Sequence, residues 1–189
     1  LFTKKNIRAI GIDDGFFNPN KSTSTIIVGV IMRSNNLVEG ILTKKIKVDS
    51  LDSTKKIIEL IKKSRFKDQI KCVFLSGLNF AGFNIVDIQL LYKKLNIPII
   101  VILRKKPRFN KIEKALNSFK DKKKRLSLIK KAGNIYSNKL IFFQFIGCTE
   151  RQALNLIKNF TFISKLPEPV RLAHLIASGI TLGQSTKPK

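Results

Sequence analysis

IRAIGIDDG, residues 7–15, is an apolar run that stops abruptly at two acids and a glycine. Its apolar positions read as a buried β-strand, which carries Asp13 and Asp14 to the strand's C-terminal tip. A short turn at that tip can hold carboxylates without burying them unpaired, so the stretch is a candidate ledge for a metal ion. The same residues also suit a strand closed by an ordinary Asp-Gly turn. Neighbours in an extended chain face opposite sides. Asp13 and Asp14 are therefore expected to part, Asp14 either supporting the site or hydrogen-bonding within the turn.

The surroundings of this pair are strongly positive. With 37 Lys and Arg against 12 Asp and Glu, the 189-residue chain carries a formal charge of +25. Such a field favours ionised carboxylates and phosphate-bearing ligands, so the expected partners are nucleic acid first and an anionic membrane surface second. Heavy use of Lys, Ile and Asn also fits a coding or solvent bias. A hydrophobic content of 43% supports one sizeable core, read as a single domain over residues 1–182 with a basic tail, 183–189, expected to be disordered. Cys72 and Cys148 lack CxxC spacing and read as free thiols of a cytoplasmic protein. No apolar run nears the roughly 18 residues of a membrane span, no signal pattern opens the chain, and no obligate protein partner is indicated.

Outward from the first strand, STIIVGVIMR (24–33) reads as a second, central strand. Ser34, Asn35 and Asn36 form a tight turn into a third strand over 37–48, completing a meander. The period then changes: SLDSTKKIIELIKKS (50–64) is an amphipathic helix entered through Asp49 or Asp52. IKCVFL (70–75) is a strand, SGLNFAG (76–82) a loop at its tip, IVDIQLLYKKL (85–95) a helix and PIIVIL (98–103) a buried strand of parallel-sheet type. Residues 110–132 are helical and dense in lysine, with KDKKKR as a possible interruption and Gly133 as a C-cap. A strand (140–146), a helix (149–160) and a last helix opened by Pro-Glu-Pro (167–169) follow. A meander followed by β-α-β-α units makes an α/β mixed sheet with helices on both faces. That order looks like the ribonuclease H-like fold, and ligands of such sheets sit at the carboxyl ends of the parallel strands.

Four segments in order, IRAIGIDDGFF, GLNFAGFNIVDI, PIIVILRKKP and LPEPVRLAHLIASGI, resemble the archaeal endonuclease dU family, which is similar to endonuclease V. The resemblance spans nearly the whole chain. It implies a ribonuclease H-like nuclease that depends on Mg2+ or Mn2+ and cuts nucleic acid, DNA in a repair setting, next to an altered base such as deoxyuridine or deoxyinosine. Asp13 falls where endonuclease V has its first-strand aspartate, His174 where many members place a metal-site histidine, and Arg104 where a basic residue ends the corresponding strand. One departure is Ser76, which stands where endonuclease V ends its fourth strand in an Asp-Gly pair. The missing carboxylate is then expected from Asp87 or Asp52, or else the site differs from that of endonuclease V. The GQSTKPK ending also departs from the family's acidic, arginine-containing one.

Phosphodiester hydrolysis needs an activated water, a stabilised phosphorus centre and a leaving oxygen, which two oxygen-liganded divalent ions roughly 3.5–4 Å apart can provide. The resemblance therefore assigns Asp13, Asp87, Asp52 and His174 to catalysis, with Asp13, Asp87 and His174 as metal ligands. Asp52 serves equally well as a helix cap. Arg171 either holds a phosphate or pairs with Glu168. Arg104, Lys105, Lys106 and Arg108, with Lys122, Lys123, Lys124 and Arg125, are the expected phosphate contacts, although a charge run is commonly a solvated face. Phe16 and Phe17 could stack against a base near the cut or pack in the core. The competing functions are a non-catalytic nucleic-acid-binding protein on the same fold and a basic protein of a larger ribonucleoprotein.

Overall fold

A computed structural model describes residues 6–187. β1 (Arg8–Asp14), β2 (Ser24–Arg33) and β3 (Leu37–Lys47) form the antiparallel meander expected from the sequence. β4 (Ile70–Leu75) lies parallel to β1 on its other side. The chain next makes a small hairpin, β5 (Asn79–Phe80) and β6 (Asn84–Ile85), where the sequence reads as a loop followed directly by a helix from Ile85. Ala81 and Gly82 turn it with φ of 41° and 85°. β7 (Ile99–Leu103) continues the parallel run, while β8 (Tyr136–Ser137) and β9 (Phe142–Ile146) close the sheet antiparallel. The seven-stranded order is β3-β2-β1-β4-β7-β9-β8.

Alternation along each strand sorts the core into two layers. Ile10, Ile12, Ile27 and Val73 point to the face covered by α1 (Ser53–Lys62) and α2 (Ile88–Leu95), where they meet Ile57, Ile61 and Leu91. Ala9, Phe74, Ile100 and Phe143 point the other way, to Ala153 and Leu156 of α5 (Glu150–Asn159) and Val170 of α6 (Glu168–Leu182). Val28 and Val30 pack on Ala173 and Ala177 of α6. Helices thus cover both faces, and β1 runs between two dry layers.

The lysine-rich segment is not one helix. It divides into α3 (Phe109–Ala115), a 3-10 turn and α4 (Lys122–Lys131), with Phe119 extended between them. The break places the Phe119 ring edge-on to Phe83, centroids 5.4 Å apart, and under the Arg125 guanidinium at 4.4 Å. Burying an aromatic ring outweighs continuing a helix of like charges. Of the tail expected to be disordered, residues 188 and 189 lie outside the described residues. Residues 183–187 instead turn back onto α6, where Ser185 Oγ donates to Leu175 O at 2.8 Å.

Candidate active site

The parallel strands β1, β4 and β7 end side by side. Ile12 pairs with Leu75 and Leu75 with Val101, so the next residues, Asp13, Ser76 and the Leu103-Arg104 tip, come together. Ser76 N donates to Ile12 O at 3.0 Å, which fixes the β4 tip against β1. A cavity of about 740 Å3 opens there. Its walls include Asp13, Asp14, Phe16, Phe17, Ser76, Arg104, Lys105 and His174.

Strand alternation decides the two acids. Asp13 shares a side of β1 with Ala9 and Gly11, facing α6, and its Oδ2 lies 2.9 Å from His174 Nδ1. An ionised carboxylate only accepts hydrogen bonds, so Nδ1 carries the hydrogen. Asp13 Oδ1 accepts from Asp14 N at 2.9 Å. Asp14 points to the opposite face, as its register requires, where Oδ2 accepts from Ala81 N at 2.7 Å and ties the β5-β6 hairpin to the strand tip. Burial, reinforced by the charge on Asp13, pushes the Asp14 carboxyl up to about 7, the Ala81 N–H opposing. Arg104 is half-buried at the rim. Desolvation draws its pKa down, and the negative charge of Asp13 draws it back up.

α6 supplies the histidine because of how it starts. Pro167 occupies the N-cap and Pro169 the first turn, where a missing N–H costs nothing. Glu168 is buried at 3% exposure beside them and accepts from Arg171 Nε at 2.8 Å. Of the two roles open to Arg171, the structure gives the ion pair, and the pair raises the guanidinium pKa.

Several expected site residues stand elsewhere. Asp87 is the N-cap of α2, its side chain accepting from Leu90 N at 2.9 Å. Asp52 Oδ1 accepts from Asn84 Nδ2 at 2.6 Å, in a network joining β3, α1 and the hairpin. Neither is among the residues lining the cavity: Asp87 Oδ1 is engaged at the start of α2 and Asp52 Oδ1 by the Asn84 amide. Arg125, 4% exposed, is likewise consumed: it bonds Asp121 and the carbonyls of Asp49, Ser50 and Phe83. Lys122 reaches Asn117 at 2.7 Å, while Lys123 and Lys124 are exposed on α4 away from the cavity walls. Lys106 and Arg108 are exposed just beyond Lys105.

Some residues at the site carried no signal in the sequence. Thr186 Oγ1 lies 3.1 Å from His174 Nε2, so both ring nitrogens of the expected metal-site histidine have partners. Thr186 and Lys187 also line the cavity, though they belong to the tail. Ser178, one helical turn from His174, could have been placed by periodicity alone. Among the described residues no three of His, Cys, Asp and Glu cluster as a metal cage.

Residues 5–181 match the family described as endonuclease dU. The chain belongs to the endonuclease dU family. Among its relatives, a UPF0215 protein of Nanoarchaeum equitans is 42% identical over 190 residues, covering 98% of this chain and 94% of that one. One from Thermococcus sibiricus is 43% identical over 191 residues, covering 97% of each. The crystal structure of a protein of unknown function from Archaeoglobus fulgidus superposes with a TM-score of 0.87 at 37% identity, over 92% of this chain and 98% of that one. Endonuclease V of Bacillus subtilis is similar in fold, with a TM-score of 0.61 at 14% identity over 90% of this chain and 78% of its own. Ciona intestinalis endonuclease V, solved with a 24mer DNA containing an inosine, has a TM-score of 0.57 at 17% identity, covering 89% and 83%.

Proposed function

We propose that this endonuclease dU chain is a divalent-metal-dependent nuclease of ribonuclease H-like fold that hydrolyses phosphodiester bonds, in DNA, near a deaminated base. The observation that carries this reading is the Asp13–His174 pair on the floor of a cavity rimmed by Arg104 and Lys105. An anchored carboxylate within reach of cations is what phosphoryl chemistry needs.

The donor set fits Mg2+ or Mn2+. Each Asp13 oxygen has one hydrogen-bond partner, from His174 or Asp14 N, and keeps further acceptor capacity. Mg2+ takes one or two carboxylates and completes its shell with water and substrate phosphate, without an all-protein cage. Asp13 would hold the ion. A bound ion there would polarise the phosphate and lower the pKa of a water. His174 holds the Asp13 carboxylate in one orientation, a role that fits the engagement of both its nitrogens. Arg104 and Lys105 neutralise phosphate oxygens at the rim. Phe16, 51% exposed beside the two acids, offers a face on which a base can stack. A second cavity of about 280 Å3 shares Ser76, Gly77 and Leu103 with the first and gives room for a base out of its stack. A buried free thiol at Cys72 accords with a reducing, cytoplasmic setting.

The test is cleavage of labelled single-stranded and duplex oligonucleotides carrying deoxyuridine, deoxyinosine or no lesion, with Mg2+, Mn2+ or EDTA. We expect lesion-dependent cutting that needs metal and falls by at least about 10^3-fold in Asp13→Ala, the scale of losing a group that organises the transition state. Ser76, where an acid was expected, favours one rival, a binding protein that has lost a ligand. Salt-sensitive binding without cleavage under any of these conditions would establish that rival.

A further inference from the structure

α6 ends at Gly183, whose φ of 79° is left-handed and whose N–H donates to Gly179 O at 3.0 Å. That residue reverses the chain along its own helix. Ser185 Oγ then donates to Leu175 O at 2.8 Å, and Thr186 N donates to Ser178 Oγ at 3.2 Å. Ser178 in turn donates to His174 O at 2.8 Å. The close approach uses Gly179, where a Cβ would stand 3.3 Å from Ser185 Oγ. The segment arrives with the Thr186 hydroxyl 3.1 Å from His174 Nε2, and Thr186 and Lys187 become part of the cavity wall.

An imidazole held at one nitrogen can turn about its bonds, and one held at both cannot. Asp13 holds Nδ1, and Thr186 holds Nε2. We propose that residues 185–187 form a working wall of the candidate active site, in which Thr186 positions His174 against Asp13 and Lys187 offers a cation to a substrate phosphate. The kinetic consequence rests on the nuclease reading given above. The positioning does not, and it can be read without any cleavage.

The chain has a single histidine, so 15N-detected ring resonances of this 189-residue chain report His174 alone. In Thr186→Val the Nε2 resonance is expected to shift as its partner is lost, and in Thr186→Ser to return to the wild-type position. If the wild type cleaves, Thr186→Val should lower kcat about tenfold with little change in KM, the usual scale for removing a group that orients a metal-site side chain. Thr186→Ser should restore the rate. Lys187→Gln should raise KM several-fold and leave the His174 resonances in place. Ring resonances that superimpose in wild type and Thr186→Val overturn the positioning role, as does a Thr186→Ser variant that behaves like Val. An unchanged KM in Lys187→Gln overturns the phosphate contact. If no substrate is cleaved the nuclease reading fails, and the resonances alone decide the positioning of His174.

Discussion

Gly11 sits in β1 two residues before Asp13, on the same side of the strand, at the point where α6 crosses. A Cβ there would stand 2.2 Å from Pro169 C and 2.4 Å from Val170 N, both backbone atoms that no rotamer change can move. The glycine lets the start of α6 lie directly on the strand, and that contact sets the height at which His174 meets Asp13. Gly11→Ala should therefore cost about 3 kcal/mol, the upper range of overpacking. Thermal unfolding checks this, and a variant as stable as wild type would show that α6 tolerates displacement. At the same scale, the separation of Asp13 from Asp14 was legible in advance, because a side-chain period of two leaves no other choice. The fates of Asp87 and Asp52 were not. An aspartate before a helix reads alike as a cap or as a ligand, and the difference lies in which partner is near.

Among the elements, the meander is fastened by charge across three strands. Arg8 on β1 and Arg33 on β2 are register neighbours, and both bond Glu39 on β3. The two arginines hold the Glu39 carboxyl below its usual range. A depressed folded pKa means the contribution is complete above the ordinary value of 4.5 and is lost as pH falls through the lowered one. Wild type should thus lose about 1 kcal/mol more than Glu39→Gln on acidification below that range, the size of a partly exposed ion-pair network. Denaturant midpoints of both proteins between about pH 6 and 3 make the comparison, and parallel curves would rule the network out as a stabiliser. The meander was legible because alternation and a three-residue turn are local signals. The β5-β6 hairpin and β8 were not, since two-residue strands carry no period, and Asp14 and β9 hold them in place. The split between α3 and α4 escaped the pattern for a related reason: Phe119 leaves the helix to meet Phe83 and Arg125.

For the molecule as a whole, the charge of +25 is the dominant long-range property. If six to ten phosphates are contacted, affinity for an oligonucleotide should drop roughly 10^3- to 10^5-fold between about 50 and 200 mM salt. With EDTA present, Asp13→Asn should bind at least as well as wild type at each salt concentration, since it then only removes a negative charge from the cavity. Fluorescence anisotropy across a salt series measures both, and a flat salt dependence would remove the backbone-binding role from the basic surface. Period, turn chemistry and net charge follow from neighbours along the chain or from simple sums, so the sequence alone determined the strands of the meander, the helices that cover them, the strongly positive charge and the place of Asp13 at the end of the first strand. The site itself is a non-local object. Asp13 and His174 are 161 residues apart, and their meeting depends on β1 and α6 packing through Gly11. The recruitment of Thr186 depends on a left-handed turn at Gly183 and on the side of the helix to which it returns the chain. Only the tertiary structure decides such contacts, because their free energy comes from the packing of whole elements and not from any segment's own preference.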